Sequence, residues 1–443
     1  MTMSEINNTP TPVSFYQALR YWLKLGFISF GGPAGQIAIM HHDLVEQKRW
    51  ISDQRFLHAL NYCMLLPGPE AQQLAIYIGW LMHKTWGGIV AGVLFVLPSF
   101  FILVTLSWAY MAHGDLPVVA GILYGIKPAV VAIVLFAAYR IGARTLKNRL
   151  LWVIALLAFV AIAVFKLPFP LIIISAALLG VVGSKLKPTY FVSGGHGGKP
   201  KHYGAALIDD HTSTPPHAMF SRSRMLRVLA VGLGLWLAAM TLLLLTQGWQ
   251  SAVTQMGWFF TKAALLTFGG AYAVLPYVYQ GAVEHFHWLT AAQMIDGLAL
   301  GETTPGPLIM VVTYVGFVGG WMQQSASPFM MAFLASSVVT FFTFLPSFIF
   351  IFLGAPFIES THGNLKLTAP LTAITAAVVG VILSLAFFFA YHSFWPQGLK
   401  YGIDLISAFL ATAALFALIR WKSNIIIVIA LCGLTGLMIH LIK

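Results

Sequence analysis

Four apolar runs, Ile89–Trp108, Val118–Ala138, Leu150–Phe165 and Leu226–Leu245, approach or exceed the roughly 20 residues that carry a helix across hydrocarbon. Inside lipid every backbone N–H and C=O must find its partner within the protein, so continuous runs of this kind are restricted to helices. Composition agrees: 59% of the 443 residues are hydrophobic and 9% are charged, whereas a soluble domain carries about 25% charged residues. The expectation is an all-α, multi-pass membrane protein with the lipid bilayer as its surroundings. The opening "MTMSEINNTPTP" is polar and leads into a long, broken apolar segment, which is not the pattern of a cleaved signal peptide. Cys63 and Cys432 both sit in apolar segments and imply no disulfide framework. The net charge of +12 does not point to nucleic acid, because the Lys and Arg residues lie in short loops between spans, as positively charged cytoplasmic loops do.

The chain repeats itself. Gly31 and Gly269 are 238 positions apart (269 − 31), and the same offset pairs Lys24 with Lys262, Trp50 with Trp288, Pro67 with Pro305 and Pro69 with Pro307. Further on the offset becomes 248 (345 − 97): "LPSF" at Leu97 matches "LPSF" at Leu345, and "AVVAIVL" at Ala129 matches "AVVGVIL" at Ala377. One ten-residue insertion therefore separates the two registers. The expected domains are a polar tail (1–14), repeat A (15–186), a basic linker (187–225), one linking span (226–247) and repeat B (253–442). Repeat A holds six apolar segments (15–40, 56–84, 88–111, 116–140, 150–165, 169–185), and repeat B holds six in the same order (253–278, 291–322, 327–353, 366–391, 399–419, 424–441). The linker is rich in Gly, Pro and Ser and reads as flexible and cytoplasmic. Its histidines, His196, His202, His211 and His217, lack the tight spacing of a metal site, so no metal is expected.

Six segments, one, then six deliver repeat B upside down if each repeat returns the chain to its starting side. Charge points the same way. The 140–149 loop of repeat A holds Arg140, Arg144, Lys147 and Arg149, and the matching "YHSFWPQG" holds no Lys or Arg. Inverted repeats are a transporter signature, with the substrate site where the repeats meet near mid-membrane.

Each repeat opens with two broken segments. The first is interrupted at Gly31-Gly32-Pro33 in A and Gly269-Gly270 in B, the second at Pro67-Gly68-Pro69 and Pro305-Gly306-Pro307. Proline lacks the N–H and clashes with the preceding turn, so helix does not run through Pro-Gly-Pro. The broken pairs 15–40 with 56–84, and 253–278 with 291–322, are either full spans or re-entrant hairpins, and the mixed charge around Asp43, Glu46 and Asp53 leans towards hairpins. A helix restarting after Pro69 exposes the amides of Glu70, Ala71 and Gln72 at the positive end of its dipole, a ready anion site; in B the amides from Leu308 onward do the same. Thr303 and Thr304 add hydroxyls before that break, and Ser29 and Thr267 add one each before the glycines. Lys24 and Lys262 share a repeat position inside apolar sequence, where an ionisable group is a functional candidate; for Lys24 the alternative is snorkelling to the interface. Together these groups suit a small multivalent oxyanion.

Glu70 follows Pro-Gly-Pro in A and Glu302 precedes it in B. A buried carboxylate there can take up a proton and so couple proton movement to anion movement, although Glu70 also reads as an acid complementing a helix start. Asp296 is a weaker candidate of the same kind.

With these motifs in order in both halves, the chain resembles the two-repeat members of the chromate ion transporter family. The matching stretches are "SFGGPAGQIAIMHHDLVEQKRWISDQRFLHALNYCMLLPGPEAQQLAIYIGW" and "LLTFGGAYAVLPYVYQGAVEHFHWLTAAQMIDGLALGETTPGPLIMVVTYVGFVGGW". The resemblance implies an inner-membrane carrier that exports chromate from the bacterial cytoplasm and confers resistance, with sulfate as a chemical mimic, the proton-motive force as driver, antiparallel halves and no cofactor. The two halves differ in their acids: Met64 stands where B has Glu302, and Leu308 where A has Glu70. An uncoupled anion channel, or a carrier of another oxyanion such as sulfate, is the alternative reading. A membrane enzyme finds only the His42, Asp43 and Glu46 group to build on. Whether the chain acts as a homodimer is left open.

Overall fold

The computed structural model describes the chain except for residues 1–9, 31, 115, 187–190, 192–202, 211, 214, 269, 324, 362–367, 397, 399, 401 and 443. Repeat A comprises α1 (Phe15–Ile28), α2 (Gly32–His41), α3 (Asp53–Cys63), α4 (Glu70–His113), α5 (Pro117–Thr145), α6 (Arg149–Ala163) and α7 (Phe169–Leu186). The linking helix is α8 (Arg222–Gln247). Repeat B comprises α9 (Ala252–Leu266), α10 (Ala271–Tyr279), α11 (Ala291–Thr303), α12 (Val311–Trp321), α13 (Pro328–Thr361), α14 (Thr368–Phe394), α15 (Leu405–Arg420) and α16 (Ile425–Ile442). Seven of the described helices are long and apolar enough to cross a membrane, and Arg149–Ala163, Leu308–Trp321 and Leu405–Arg420 are shorter apolar helices. The protein is therefore all-helical and multi-pass.

The repeat holds down to single turns. π-helical turns follow α2 at His42–Gln47 and α10 at Gln280–His285. Arg49 and His287, again 238 apart, both adopt positive φ, 52° and 53°. Ser52 caps α3 through the Arg55 amide, and Thr290 caps α11 through the Gln293 amide; each side-chain oxygen satisfies an orphan N–H and fixes where the helix starts. In α4, His83 and Lys84 leave helical geometry, so one helix turns sharply into two limbs. Repeat B uses the ten extra residues here: a loop separates α12 from α13, and α13 begins earlier in register.

The first four helical pieces of each repeat double back. In repeat A, Tyr21 of α1 meets Trp50 with ring centroids 5.3 Å apart, and the Lys48 ammonium lies over both rings. Were α2 to continue the line of α1, these residues would lie tens of ångströms apart at 1.5 Å per residue. His83, at the end of the first limb of α4, hydrogen-bonds the Val13 carbonyl at 2.9 Å, so α3 and this limb also go in and return. In repeat B, Trp288 stacks on Phe260 and meets Phe259 of α9.

The long helices interlock across the repeats. α5 packs on α15 and α16, and its counterpart α14 packs on α6 and α7. Likewise α1 lies on α4 as α9 lies on α13, and α4 meets α13 directly. The core is this shared seam, filled by Ala129–Val134 of α5 and Ala376–Ile382 of α14.

The linker departs from expectation where it is described. Ile208 forms an isolated parallel bridge with Ile51, the Ser52 hydroxyl donates to Asp210 at 2.5 Å, and Arg55 donates to the Thr212 carbonyl at 2.6 Å. His217 hydrogen-bonds the Trp80 carbonyl at 3.0 Å. The described residues of 203–217 thus strap across the open end of the repeat A hairpins, because the turn at 48–52 leaves backbone groups that a passing extended segment can pair.

Candidate functional site

The broken segments of the two repeats meet. The Gly68 amide donates to the Thr267 carbonyl at 2.8 Å, and the Gly306 amide donates to the Ser29 carbonyl at 2.8 Å. Each bond joins the Pro-Gly-Pro break of one repeat to the glycine break of the other, and the two are related by exchange of the repeats. Backbone groups freed by the prolines are satisfied here, inside protein, as lipid requires. Gly68 and Gly306 have φ of +125° and +101°, a region that costs L-residues with a Cβ. A Cβ on Gly68 would come within 2.7 Å of Ser347 Oγ, and one on Gly306 within 2.7 Å of Ser99 Cβ. Those serines are the matched serines of the two Leu-Pro-Ser-Phe motifs, and both are buried.

Two glutamines complete the junction. Gln36 Nε2 donates to the Gly306 carbonyl at 2.5 Å and to the Ser29 carbonyl at 3.2 Å. Gln73 Nε2 donates to the Pro67 carbonyl at 2.8 Å and reaches Ser347 Oγ at 3.5 Å. Ser29 Oγ, Ser99 Oγ, both polar atoms of Gln72 and the side-chain oxygens of Gln36 and Gln73 are buried with no hydrogen-bond partner among the described residues. Buried polar atoms are normally paired, so this concentration at one junction is unusual. No described side chain caps the first turn of α4 after Pro69 or the turn after Pro307, whereas the Met310 amide bonds the Pro307 carbonyl at 2.9 Å.

Several expectations need correction. The Thr267, Thr303 and Thr304 hydroxyls are committed to their own helices, donating to the carbonyls of Ala263, Leu300 and Gly301 at 2.7, 3.0 and 3.0 Å; a hydroxyl so used cannot donate to an anion at the same time. Lys24 is exposed on the outer face of α1 beside Leu23, Phe27 and Ile28, and Lys262 lies over the exposed ring of Trp258 with its ammonium 5.6 Å from the centroid. Both lysines run along the protein surface, because position 24 of the repeat falls on the opposite side of its helix from the buried Ser29 or Thr267. Lys24 is exposed and Lys262 half-buried. Gly31 and Gly269 lie outside the described residues. Gly32 opens α2 with φ +68°, followed by Pro33 in the first turn, and Gly270 opens α10 with φ +95°. Pro305 ends the segment after α11, so all five prolines sit where helix stops or starts.

The carboxylates fall at contacts the sequence did not indicate. Glu302 is half-buried and accepts a hydrogen bond from the Tyr272 hydroxyl of α10. Arg140, which the sequence had placed in a loop, lies on α5. Asp296 is buried, accepts from the Tyr110 hydroxyl at 3.0 Å, and has the Lys127 ammonium 3.7 Å away. Glu70 is half-buried at the first position of α4. Glu359, a further acid, accepts from Tyr77 at 2.6 Å and from Arg55 at 3.2 Å. Tyrosines and α5 cations within apolar sequence carried the signal for these clusters.

The outer polar cluster has another character. His41 lies 2.7 Å from Asp53 and 3.1 Å from Glu46, and His42 lies 3.0 Å from Glu46. The hydrogen bond from His42 holds the Glu46 carboxyl below its ordinary value. Burial holds the His217 imidazole below its ordinary value, with Lys84 and Arg224 adding to the effect. His196, His202 and His211 lie outside the described residues, and no metal-holding group of side chains occurs among the described ones.

A family model described as "Chromate transporter" matches residues 16–181 and again 254–437, one match per repeat. The chain belongs to the chromate transporter family. It is 32% identical to a chromate transport protein of Pseudomonas aeruginosa over 436 residues, 96% of this chain and 93% of the relative. It is 29% identical to a chromate transport protein of Cupriavidus metallidurans over 419 residues, 94% and 90% of the two chains. A probable chromate transport protein of Synechococcus elongatus is 30% identical over 371 residues, 83% of each. No solved structure matches this family member.

Proposed function

We propose that the protein is a secondary transporter that carries chromate, a tetrahedral dianion resembling sulfate, out of the bacterial cytoplasm across the inner membrane. Export is coupled to the proton gradient and confers chromate resistance. The observation that carries this reading is the pair of reciprocal 2.8 Å hydrogen bonds, Gly68 to Thr267 and Gly306 to Ser29, which bring four helix breaks with orphan amides and unpartnered polar side chains to one buried point. Such a point can hold an oxyanion through backbone N–H groups and helix dipoles. The two repeats then lie antiparallel about it. In support, the hairpins of repeat A open on the face that carries Val13 and the 203–217 strap, while Gln280 of repeat B pairs with Leu167 and Phe169, in the loop between α6 and α7. The N-terminus and linker are cytoplasmic in this arrangement, following the basic loops, and Glu302, Glu70 and Asp296 are the candidate proton carriers.

The test is chromate uptake into inverted membrane vesicles with and without an imposed pH gradient, with sulfate as competitor. Coupled export predicts gradient-dependent uptake that sulfate inhibits, and Glu302→Gln should cut the flux and flatten its pH dependence. Uptake that ignores the gradient would favour the channel, and sulfate flux outpacing chromate would reassign the cargo.

A further inference from the structure

One arginine ties the strap to both repeats. Arg55 of α3 donates through one nitrogen to the Thr212 carbonyl of the strap at 2.6 Å, and through another to Glu359 of α13 at 3.2 Å. Glu359 also accepts from Tyr77 of α4 at 2.6 Å, and the Tyr62 hydroxyl of α3 donates to the Phe350 carbonyl of α13 at 3.1 Å. The repeat A hairpins therefore meet repeat B at this corner, and the strap sits on it. The Leu207 and Ile208 amides donate to the Arg49 and Trp50 carbonyls at 2.9 and 3.1 Å, and the Ser52 amide donates to the Ile208 carbonyl at 3.0 Å. Just past the strap, Phe220 meets Phe357 of α13 with ring centroids 6.2 Å apart. The matching corner lacks these groups. At the same offsets Arg55 corresponds to Gln293, which is used in the capping box of α11, and Glu359 corresponds to Met111.

We infer that the described residues of 203–217 form a latch that holds repeat A against α13 and must undock before the repeats can move past each other. This deepens the transport reading and rests on it. The guanidinium is a rigid planar fork, so its bonds to Thr212 and Glu359 fix the strap and α13 relative to each other. Docking of the strap and closure of α3 on α13 then favour each other. A segment that binds one placement of the repeats better than another shifts the population towards that placement. Inverted-repeat carriers work by moving one repeat against the other, so the docked strap opposes that step. The strap is also built to come off. Of its described residues only Ala206 and Ile208 are buried, and a segment with few buried contacts opens far more readily than the packed helices beneath it.

The experiment is chromate uptake into proteoliposomes of the full-length protein, with insertion checked for each variant. The Ser52 and Asp210 side chains already meet at 2.5 Å, so Ser52→Cys with Asp210→Cys can be joined by oxidation, and thiol titration reads the bridge; the native Cys63 and Cys432 are buried. Bridging should slow uptake at least ten-fold, and reductant should restore it. A bridged protein that carries chromate at the reduced protein's rate overturns the inference. Ile208→Pro with Asp210→Ala removes the donor to Trp50 and the acceptor of Ser52, and so undocks the strap. This variant should carry chromate at least as fast as the wild type; loss of uptake would make the strap part of the carrying state and overturn the latch. Hydrogen exchange reads the latch without flux: in the undocked variant it should quicken several-fold in 350–359 of α13 as well as in 49–56. Quickening confined to repeat A overturns the inference. A wild type that carries no chromate strikes the transport reading, and exchange in 350–359 still decides whether the strap clamps the two repeats.

Discussion

Repeat A has glutamine at positions 36 and 73, where repeat B has Val274 and Val311; repeat B has Asp296 and Glu302, where repeat A has His58 and Met64. Backbone and chemistry therefore part company. The breaks, the π-helical turns, the positive-φ residues and the cross-bonded glycines obey the two-fold relation, but the polar side chains around them do not. Repeat A supplies the amide side chains and cations, and repeat B supplies most of the carboxylates. Among the described residues, both ion pairs that do not involve histidine, Arg55 with Glu359 and Lys127 with Asp296, join a cation of A to an acid of B. A duplicated scaffold fixes where a site can form, since helix breaks are set by proline and glycine. It leaves side chains free to specialise, and complementary charge then holds the halves to each other rather than to copies of themselves.

The largest test of this division is at the ion pairs. Arg55→Ala leaves Glu359, almost wholly buried, without its counter-charge, and should cost about 3–5 kcal/mol. Lys127→Ala also leaves a buried acid, Asp296, without its counter-charge, but the Lys127 ammonium is 30% exposed and partly screened by water, so the loss should be smaller, about 1–3 kcal/mol. Thermal unfolding in detergent compares the two, and equal losses would contradict the difference in burial. Next are the glycines, where the two-fold is strict. Gly306→Ala and Gly68→Ala should each lose about 2–4 kcal/mol through positive φ and overpacking, and a large loss at one with none at the other would show that the junction is less symmetric than its hydrogen bonds.

The glutamines sharpen the comparison. Gln36→Leu frees the buried Gly306 carbonyl across the repeat boundary, while the Ser29 carbonyl keeps the Gly306 amide; it should cost about 1–3 kcal/mol and lower transport. Gln73→Leu frees the Pro67 carbonyl within repeat A and should do less; the ratio of chromate fluxes reads which bond matters. The smallest effect is at the strap, which the described part of repeat B does not share. The His217 imidazole is held below its ordinary value in the folded protein, so the unfolded or undocked segment binds the proton more readily. Docking is then full above the ordinary histidine range, near pH 6.5, and weakens as pH falls from there towards the lowered value. Hydrogen exchange of 203–217 should quicken on acidification, and His217→Gln should remove the pH response.

Much of this was legible in residue order. Proline and glycine act locally, through a missing N–H, a fixed φ or a missing Cβ, so the four breaks could be placed from "SFGG", "TFGG" and the two "PGP" motifs, and a constant offset revealed the repeat because matched backbone needs matched special residues. The serines of "LPSF" were in view as repeat markers, though nothing local says that they abut Gly68 and Gly306. Lys24 and Lys262 misled, because helical phase relative to a neighbour is not written in the residue itself: the same offset that pairs the lysines turns both outward. Thr267, Thr303 and Thr304 misled in a similar way, since a hydroxyl in a helix finds the carbonyl three or four residues back before it finds a ligand.

The sequence by itself determined that this chain is helical, membrane-borne, doubled, and broken at four matched places, because each of those properties follows from hydrophobic length or from the stereochemistry of single residues. Only the tertiary structure decided that the breaks bond crosswise, that the arms double back under a strap, and that Lys127 faces Asp296. Those are contacts between segments far apart in sequence, and what selects them is the packing of α5 against the opposite repeat, where burying a charge is tolerable only beside its opposite.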